Sequence, residues 1–180
     1  QIVFDLLSFA RENRVMAQNT DVNQLIRNVV AEEELKESYE NVEITLALNP
    51  RLPVIQADAD QLRQCLVNLM TNAADAMAPQ GGVLTVSTRI PDRHHIEIEV
   101  ADTGMGMSEE VMTNLFTPFF TTKPPGKGTG LGLSIIYGIV KMHRGDIRVW
   151  SEPGQGSRFT VVLPRRLPEL GTNVTRGDAI

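Results

Sequence analysis

The chain is poor in several things, and each scarcity excludes something. It has a single cysteine in 180 residues, so no internal disulfide can form, and a reducing compartment suits it. That residue, Cys65, stands among leucines on an expected helix, where it reads as a buried, inert thiol. Basic residues are outnumbered, with 17 Lys and Arg against 22 Asp and Glu and a formal net charge of −5. No basic surplus argues for nucleic acid as a partner. Apolar runs are too short to span a bilayer, and no signal peptide opens the chain, which leaves an anchor on a longer parent open. Neither an internal repeat nor a low-complexity segment is present. What remains is ordinary: 42% hydrophobic and 22% charged residues, the balance of one globular domain with a proper core.

Read in order, residues 1–17 carry apolar residues at helical spacing (Ile2, Val3, Leu6, Leu7), and residues 18–21 read as a hinge. Asp21 with Gln24 resembles a capping box that opens a helix to about Ser38. Residues 43–48 alternate as a half-buried strand, and Val54–Ala57 is a short extended piece. Asp58 with Gln61 caps a second helix to about Met77, with Leu62, Leu66, Leu69, Ala73 and Met77 as its core stripe. Strands are expected over 83–90 and 95–101, then a short helix from Ser108. Another helix is expected over Leu131–His143, then strands over 146–151 and 157–163, and a patternless tail from Arg165. The order predicts an α+β two-layer sandwich: a mostly antiparallel mixed sheet with three main helices on one face and a mobile lid.

The chemistry gathers around glycine. Gly104, Gly106, Gly126, Gly128, Gly130 and Gly132 crowd one stretch, and the last of them open an apolar helix whose free N–H groups suit phosphate. An ordinary flexible loop capped by a helix is the plainer reading. On the long helix, Asn68, Asn72 and Asp75 fall on one face to the side of the leucine stripe. Amides cost helix propensity there, and an asparagine oxygen is a neutral, hard ligand for Mg²⁺. Asp102 ends a strand, where its carboxylate can accept from an adenine amino group and repel the guanine carbonyl; an Asx turn is the commoner fate of Asp-Thr-Gly. Phe116, Phe119 and Phe120 fall in one loop, as if to pin a lid to the core. Thr121, Thr122, Lys123 and Lys127 supply donors beside it.

Four stretches, Asn68-Leu-Met-Thr-Asn72-Ala-Ala-Asp75, Asp102-Thr-Gly-Met-Gly106, Phe116-Thr-Pro-Phe-Phe120 and Gly128-Thr-Gly-Leu-Gly-Leu-Ser134, resemble in order the N, G1, F and G2 boxes of a known family. That family is the catalytic, ATP-binding domain of two-component sensor histidine kinases, within the GHKL ATPase superfamily with its Bergerat-type fold. The likeness covers about residues 20–164 and is nearest the nitrogen-regulation and dicarboxylate-sensor type. It implies ATP and Mg²⁺ as ligands, with Asn72 on the metal, Asn68 supporting it and Asp102 selecting adenine. By the same resemblance Gly104 and Gly106 let the base approach. Gly128, Thr129, Gly130, Leu131, Gly132 and Leu133 surround the phosphates, with Asp75, Phe116, Phe120 and Thr122 nearby. Either Lys123 or Lys127 meets the phosphates.

The resemblance also implies a division of the chain: residues 1–17 as the end of a dimerisation-hairpin helix, 18–164 as the catalytic domain and 165–180 as a flexible tail. In the hydrolysing members of the superfamily a glutamate one turn before the metal asparagine activates water. Asn68 stands there instead, and an amide is no general base. The implied reaction is γ-phosphoryl transfer to a hairpin histidine, with a response regulator receiver domain as next acceptor. His94, His95 and His143 lack the acceptor's setting and read as surface or structural groups. The alternatives are a GHKL ATPase that drives conformational change, or a non-catalytic nucleotide-binding module. The expected setting is the bacterial cytoplasm, with a homodimeric parent anchored in the inner membrane and this piece itself a monomer.

Overall fold

The computed structural model describes residues 15–32, 41–78, 80–124 and 128–167. In chain order the elements are β1 (Gln18–Thr20), α1 (Val22–Ala31), β2 (Val42–Ala47), β3 (Ile55–Ala57), α2 (Ala59–Met77), β4 (Gly82–Arg89), β5 (His95–Asp102), α3 (Glu109–Asn114), α4 (Gly132–Met142), β6 (Asp146–Glu152) and β7 (Gly156–Pro164). Five strands make one sheet in the order β2-β4-β5-β7-β6. Its β2–β4 pair is parallel and the other three pairs are antiparallel. Helices α2 and α4 pack on this sheet and on each other, and α1 packs on α2. This is the two-layer α+β sandwich expected from the sequence.

Periodicity explains which face is covered. Along β5, Ile96, Ile98, Val100 and Asp102 are buried while their neighbours are half-exposed, because successive side chains of a strand point to opposite faces. Along α2 the whole expected stripe is buried, from Leu62 to Met77, with Cys65, Met70 and Ala74 beside it. Burying each leucine contributes roughly 2 kcal/mol. Burial also pushes the Cys65 thiol pKa far up, so it stays protonated. The uncovered face of the sheet carries ion pairs instead, Glu97 with Arg148 and Glu99 with Arg89 and Arg158.

Several boundaries differ from the sequence reading, each for a physical reason. The expected hinge at 18–21 is the strand β1, paired antiparallel with β3, with Asp21 as the N-cap of α1. Long-range pairing overrides its polar composition. Helix α1 ends at Ala31 rather than near Ser38. An acidic run there opposes the helix dipole, and the first acid, Glu32, turns aside to Arg63 with its two oxygens at 2.8 and 2.5 Å. Residues 33–40, most of the expected first helix (1–14) and the end of the tail (168–180) lie outside the described residues; Val15–Ala17 are not helical. Arg165, placed at the start of a tail by its sequence, instead anchors the sheet's end. Its N–H donates to His94 O at 2.7 Å and its carbonyl accepts from Gln56 N at 3.0 Å.

Candidate functional site

Asp102 occupies the last inward-facing position of β5, so strand alternation alone places its carboxylate beneath the helices. It is 8% exposed. One oxygen, Oδ1, accepts from Gly104 N at 2.9 Å and from Ser157 N at 3.2 Å. The other, Oδ2, has no hydrogen-bond partner among the described residues. Burial pushes the carboxyl pKa up, and the two amides pull it partly back. A buried acceptor held in place with one lone-pair edge unspent is poised for an external donor. Ser157 was not legible as part of this arrangement. Its role follows from the β5–β7 register, which sets Asp102 opposite Ser157, and a single strand's sequence does not contain its partner.

The loop after Asp102 is pressed between α2 and β6. Met105 N donates to Ala76 O at 3.0 Å, and Gly154 N donates to Met105 O at 2.7 Å. Gly106 has φ +66, and a Cβ there would lie 1.9 Å from Glu152 O. A Cβ at Gly104 would lie 2.5 Å from Ala76 O. The two glycines, expected to admit a base, therefore have a nearer reason: protein backbone fills the space a side chain would need.

Across α2, Asn68, Asn72 and Asp75 share the expected side, and their surroundings differ. Asn68 Nδ2 is buried with no hydrogen-bond partner among the described residues, and it faces the first residue of α4, where a Cβ on Gly132 would lie 4.0 Å from Asn68 Nδ2. Helix α4 opens at Leu131 without a side-chain cap. Its first-turn N–H groups point out of the helix end, where anions are favoured. Thr129 Oγ1 accepts from Leu131 N at 3.3 Å, and Leu133 packs partly on the core. Asn72 Oδ1 accepts from Lys123 Nζ at 3.4 Å, and the same ammonium donates to Asp75 Oδ2 at 2.5 Å. The structure thus brings Asn68, Asn72, Asp75, Lys123 and the α4 N-terminus to one place.

The phenylalanine loop behaves only in part as expected. Leu115 is buried, and Phe116 packs against the core with its ring 5.3 Å from that of Tyr137. Phe119 is 71% exposed, with φ +66, so it pins nothing. Its backbone does the holding: Phe119 N donates to Gly130 O at 2.8 Å. Gly130 is required there, since a Cβ would meet the Phe119 carbonyl carbon at 2.4 Å. Phe120 is half-buried and Thr122 is exposed, while a Cβ on Gly128 would crowd Thr121 and Lys123. Lys127 lies outside the described residues.

No histidine belongs to this site. His95 pairs with Asp92 at 2.9 Å, and His94 accepts from Arg93 Nε at 2.8 Å. His143 is buried at the far end of the helix layer. There its Nε2 accepts from Asp58 N at 3.0 Å, and its Nδ1 donates to Ile139 O at 2.9 Å. No helix among the described residues is long and apolar enough to cross a membrane.

Known proteins resemble this chain in sequence and fold. The family profile of histidine kinase-, DNA gyrase B-, and HSP90-like ATPases matches residues 57–167. Sensor histidine kinase ZraS of Escherichia coli (strain K12) is 36% identical over 178 residues, which are 99% of this chain and 36% of that protein. Among solved structures, full-length ShkA in complex with AMPPNP superposes with a TM-score of 0.79 at 30% identity, covering 91% of this chain and 35% of that one. Histidine kinase ThkA in complex with response regulator protein TrrA gives a TM-score of 0.72 at 26% identity, covering 91% and 46%. The chain spans about a fifth to a third of the length of the curated relatives it matches.

Proposed function

Because the chain belongs to the family of histidine kinase-, DNA gyrase B- and HSP90-like ATPases, we propose that it binds ATP and gives the γ-phosphoryl group to a histidine. That histidine would lie on a dimerisation hairpin of the same protein, to which residues 1–17 would belong. The observations that carry the reading are two polar ends, each held against α2, one through Ala76 and the other through Asn68. One end is Asp102, a mostly buried carboxylate with one oxygen unspent among the described residues for the adenine amino group. The other is the uncapped start of α4, whose N–H groups suit phosphate. The ATP analogue in the ShkA complex supports the ligand.

The residues present also fit Mg²⁺. Asn72 carries a neutral oxygen, which here accepts weakly from Lys123 Nζ at 3.4 Å, and Asn68 Nδ2 one turn away is a buried donor without an acceptor among the described residues. Asn72 would hold the ion, which supplies neutralisation of the phosphate charge. Asn68 stabilises this end without activating water, because an amide has no basic lone pair at neutral pH. A group kept from water stays available for an acceptor, which favours transfer over hydrolysis. By analogy with the ThkA complex, the next acceptor is a response regulator. The parent would be a homodimer with this domain on the cytoplasmic side of the bacterial inner membrane, and this domain alone a monomer.

The test mixes the protein with Mg²⁺, γ-labelled ATP and a separately made hairpin of the same parent. Acid-labile label on the hairpin with little free phosphate is expected. Rapid free phosphate with no labelled hairpin would replace this reading with a hydrolysing ATPase.

A further inference from the structure

Asp75 takes no direct part in the scheme above, yet it shares a lysine partner with Asn72. It lies three residues beyond Asn72, on the same side of α2. Its Oδ2 accepts from Lys123 Nζ at 2.5 Å, and that ammonium also reaches Asn72 Oδ1 at 3.4 Å. The loop that carries Lys123 is shaped for the reach. Lys123 N donates to Thr121 Oγ1 at 3.1 Å, and Phe119 N ties the loop to Gly130 at 2.8 Å. One cation thus joins the loop to the helix at the residue expected to face the phosphates.

The pair is a poor staple for the fold. Its side chains are 34% and 49% exposed, and such pairs are weak in water and readily exchanged. Its consequence lies in where it puts charge. A bare carboxylate at position 75 would repel a polyphosphate. Paired with Lys123 it is neutralised, and the ammonium is directed at Asn72.

We propose that Asp75 is a positioning residue that holds the Lys123 ammonium beside Asn72, so that the segment 117–124 brings a cation to the phosphate end of the site. The inference rests on the ATP-binding reading and deepens it by giving Asp75 a role through Lys123 rather than through the nucleotide.

The sign of a double substitution separates this from a merely structural pair. Lys123→Met leaves Asp75 bare and repulsive, so ATP·Mg²⁺ should bind about tenfold more weakly. Asp75→Asn loses only the positioning and should cost about threefold. The double variant should bind better than Lys123→Met alone, because the repulsion is gone. Asp75→Glu should stay within about twofold of wild type, since it keeps the charge. Affinity is read by calorimetry, and amide hydrogen exchange over residues 119–123 is read without nucleotide. Exchange should quicken equally in Asp75→Asn, Lys123→Met and the double variant, with melting temperatures unchanged. Losses that simply multiply in the double variant, or unaltered exchange in Asp75→Asn, would overturn the proposal while leaving the ATP reading intact. Wild-type protein that binds no ATP would overturn both.

Discussion

Asp58 and Asp102 are each 8% exposed and lie at opposite ends of the helix layer, but they spend their oxygens differently. Asp58 uses both: Oδ1 caps α2 through Gln61 N at 3.1 Å, and Oδ2 accepts from Met16 N at 3.0 Å. Its own N–H is taken by His143 Nε2. Asp102 gathers two backbone amides on one oxygen and holds the other back. The first is a joint of the fold, complete in itself. The second costs the fold a desolvated carboxylate, as its raised pKa shows, and is complete only with a donor from outside. Equal burial thus conceals opposite roles, and the accounting of individual oxygens separates them.

Substitution at each carboxylate should break the comparison cleanly. Asp102→Asn keeps an acceptor for the two amides and turns the unspent oxygen into a donor facing the adenine amino group. ATP affinity should fall on the order of 100-fold, about 3 kcal/mol, with melting temperature little changed; calorimetry checks the first and thermal unfolding the second. Asp58→Ala should do the reverse. It removes a cap and a second backbone acceptor, costing about 2 kcal/mol of stability in a urea titration, and it leaves ATP affinity unchanged.

The Asp58 end should also respond to acid. Burial lowers the His143 pKa, with the Ile139 carbonyl and the Asp58 carboxylate opposing in part. The folded imidazole is therefore neutral where the unfolded one begins to take up a proton. The stability this neutral ring contributes is fully present above pH 6.5, the ordinary imidazole value, and is lost as pH falls below it. The loss for one proton is at most about 1.4 kcal/mol per pH unit. Protonation would set an Nε2–H against the Asp58 N–H, and His143→Gln should flatten that limb of a stability–pH profile. The smallest effect belongs to Phe119→Ala. At 71% exposure its ring supports nothing, and unfolding free energy should move by no more than about 0.5 kcal/mol.

The sequence was most legible where a local rule sufficed. Asp102 was legible as the end of a strand, helical spacing put Asn68, Asn72 and Asp75 together, and Asp21 and Asp58 were recognisable as caps. It was least legible where a partner distant in the chain decides. Strand β1 exists because β3 pairs with it, and Ser157 serves Asp102 through strand register. His143 meets Asp58 across 85 positions. Glycines at 104 and 106 were legible as necessary, but their cause, the carbonyls of Ala76 and Glu152, became visible only in three dimensions. Phenylalanine clustering suggested a pinned lid, whereas among the described residues only Phe116 of the three lies against another ring. Residue type does not tell whether a loop aromatic turns inward.

The most direct test of the account compares ATP with inosine triphosphate, which carries a carbonyl in place of the adenine amino group, in calorimetric titrations of the wild-type protein and Asp102→Asn. A preference for ATP of at least tenfold is expected in the wild type, lost or reversed in the variant. Equal affinity of the wild type for the two nucleotides would contradict it, for the unspent oxygen of Asp102 would then have no donor to meet.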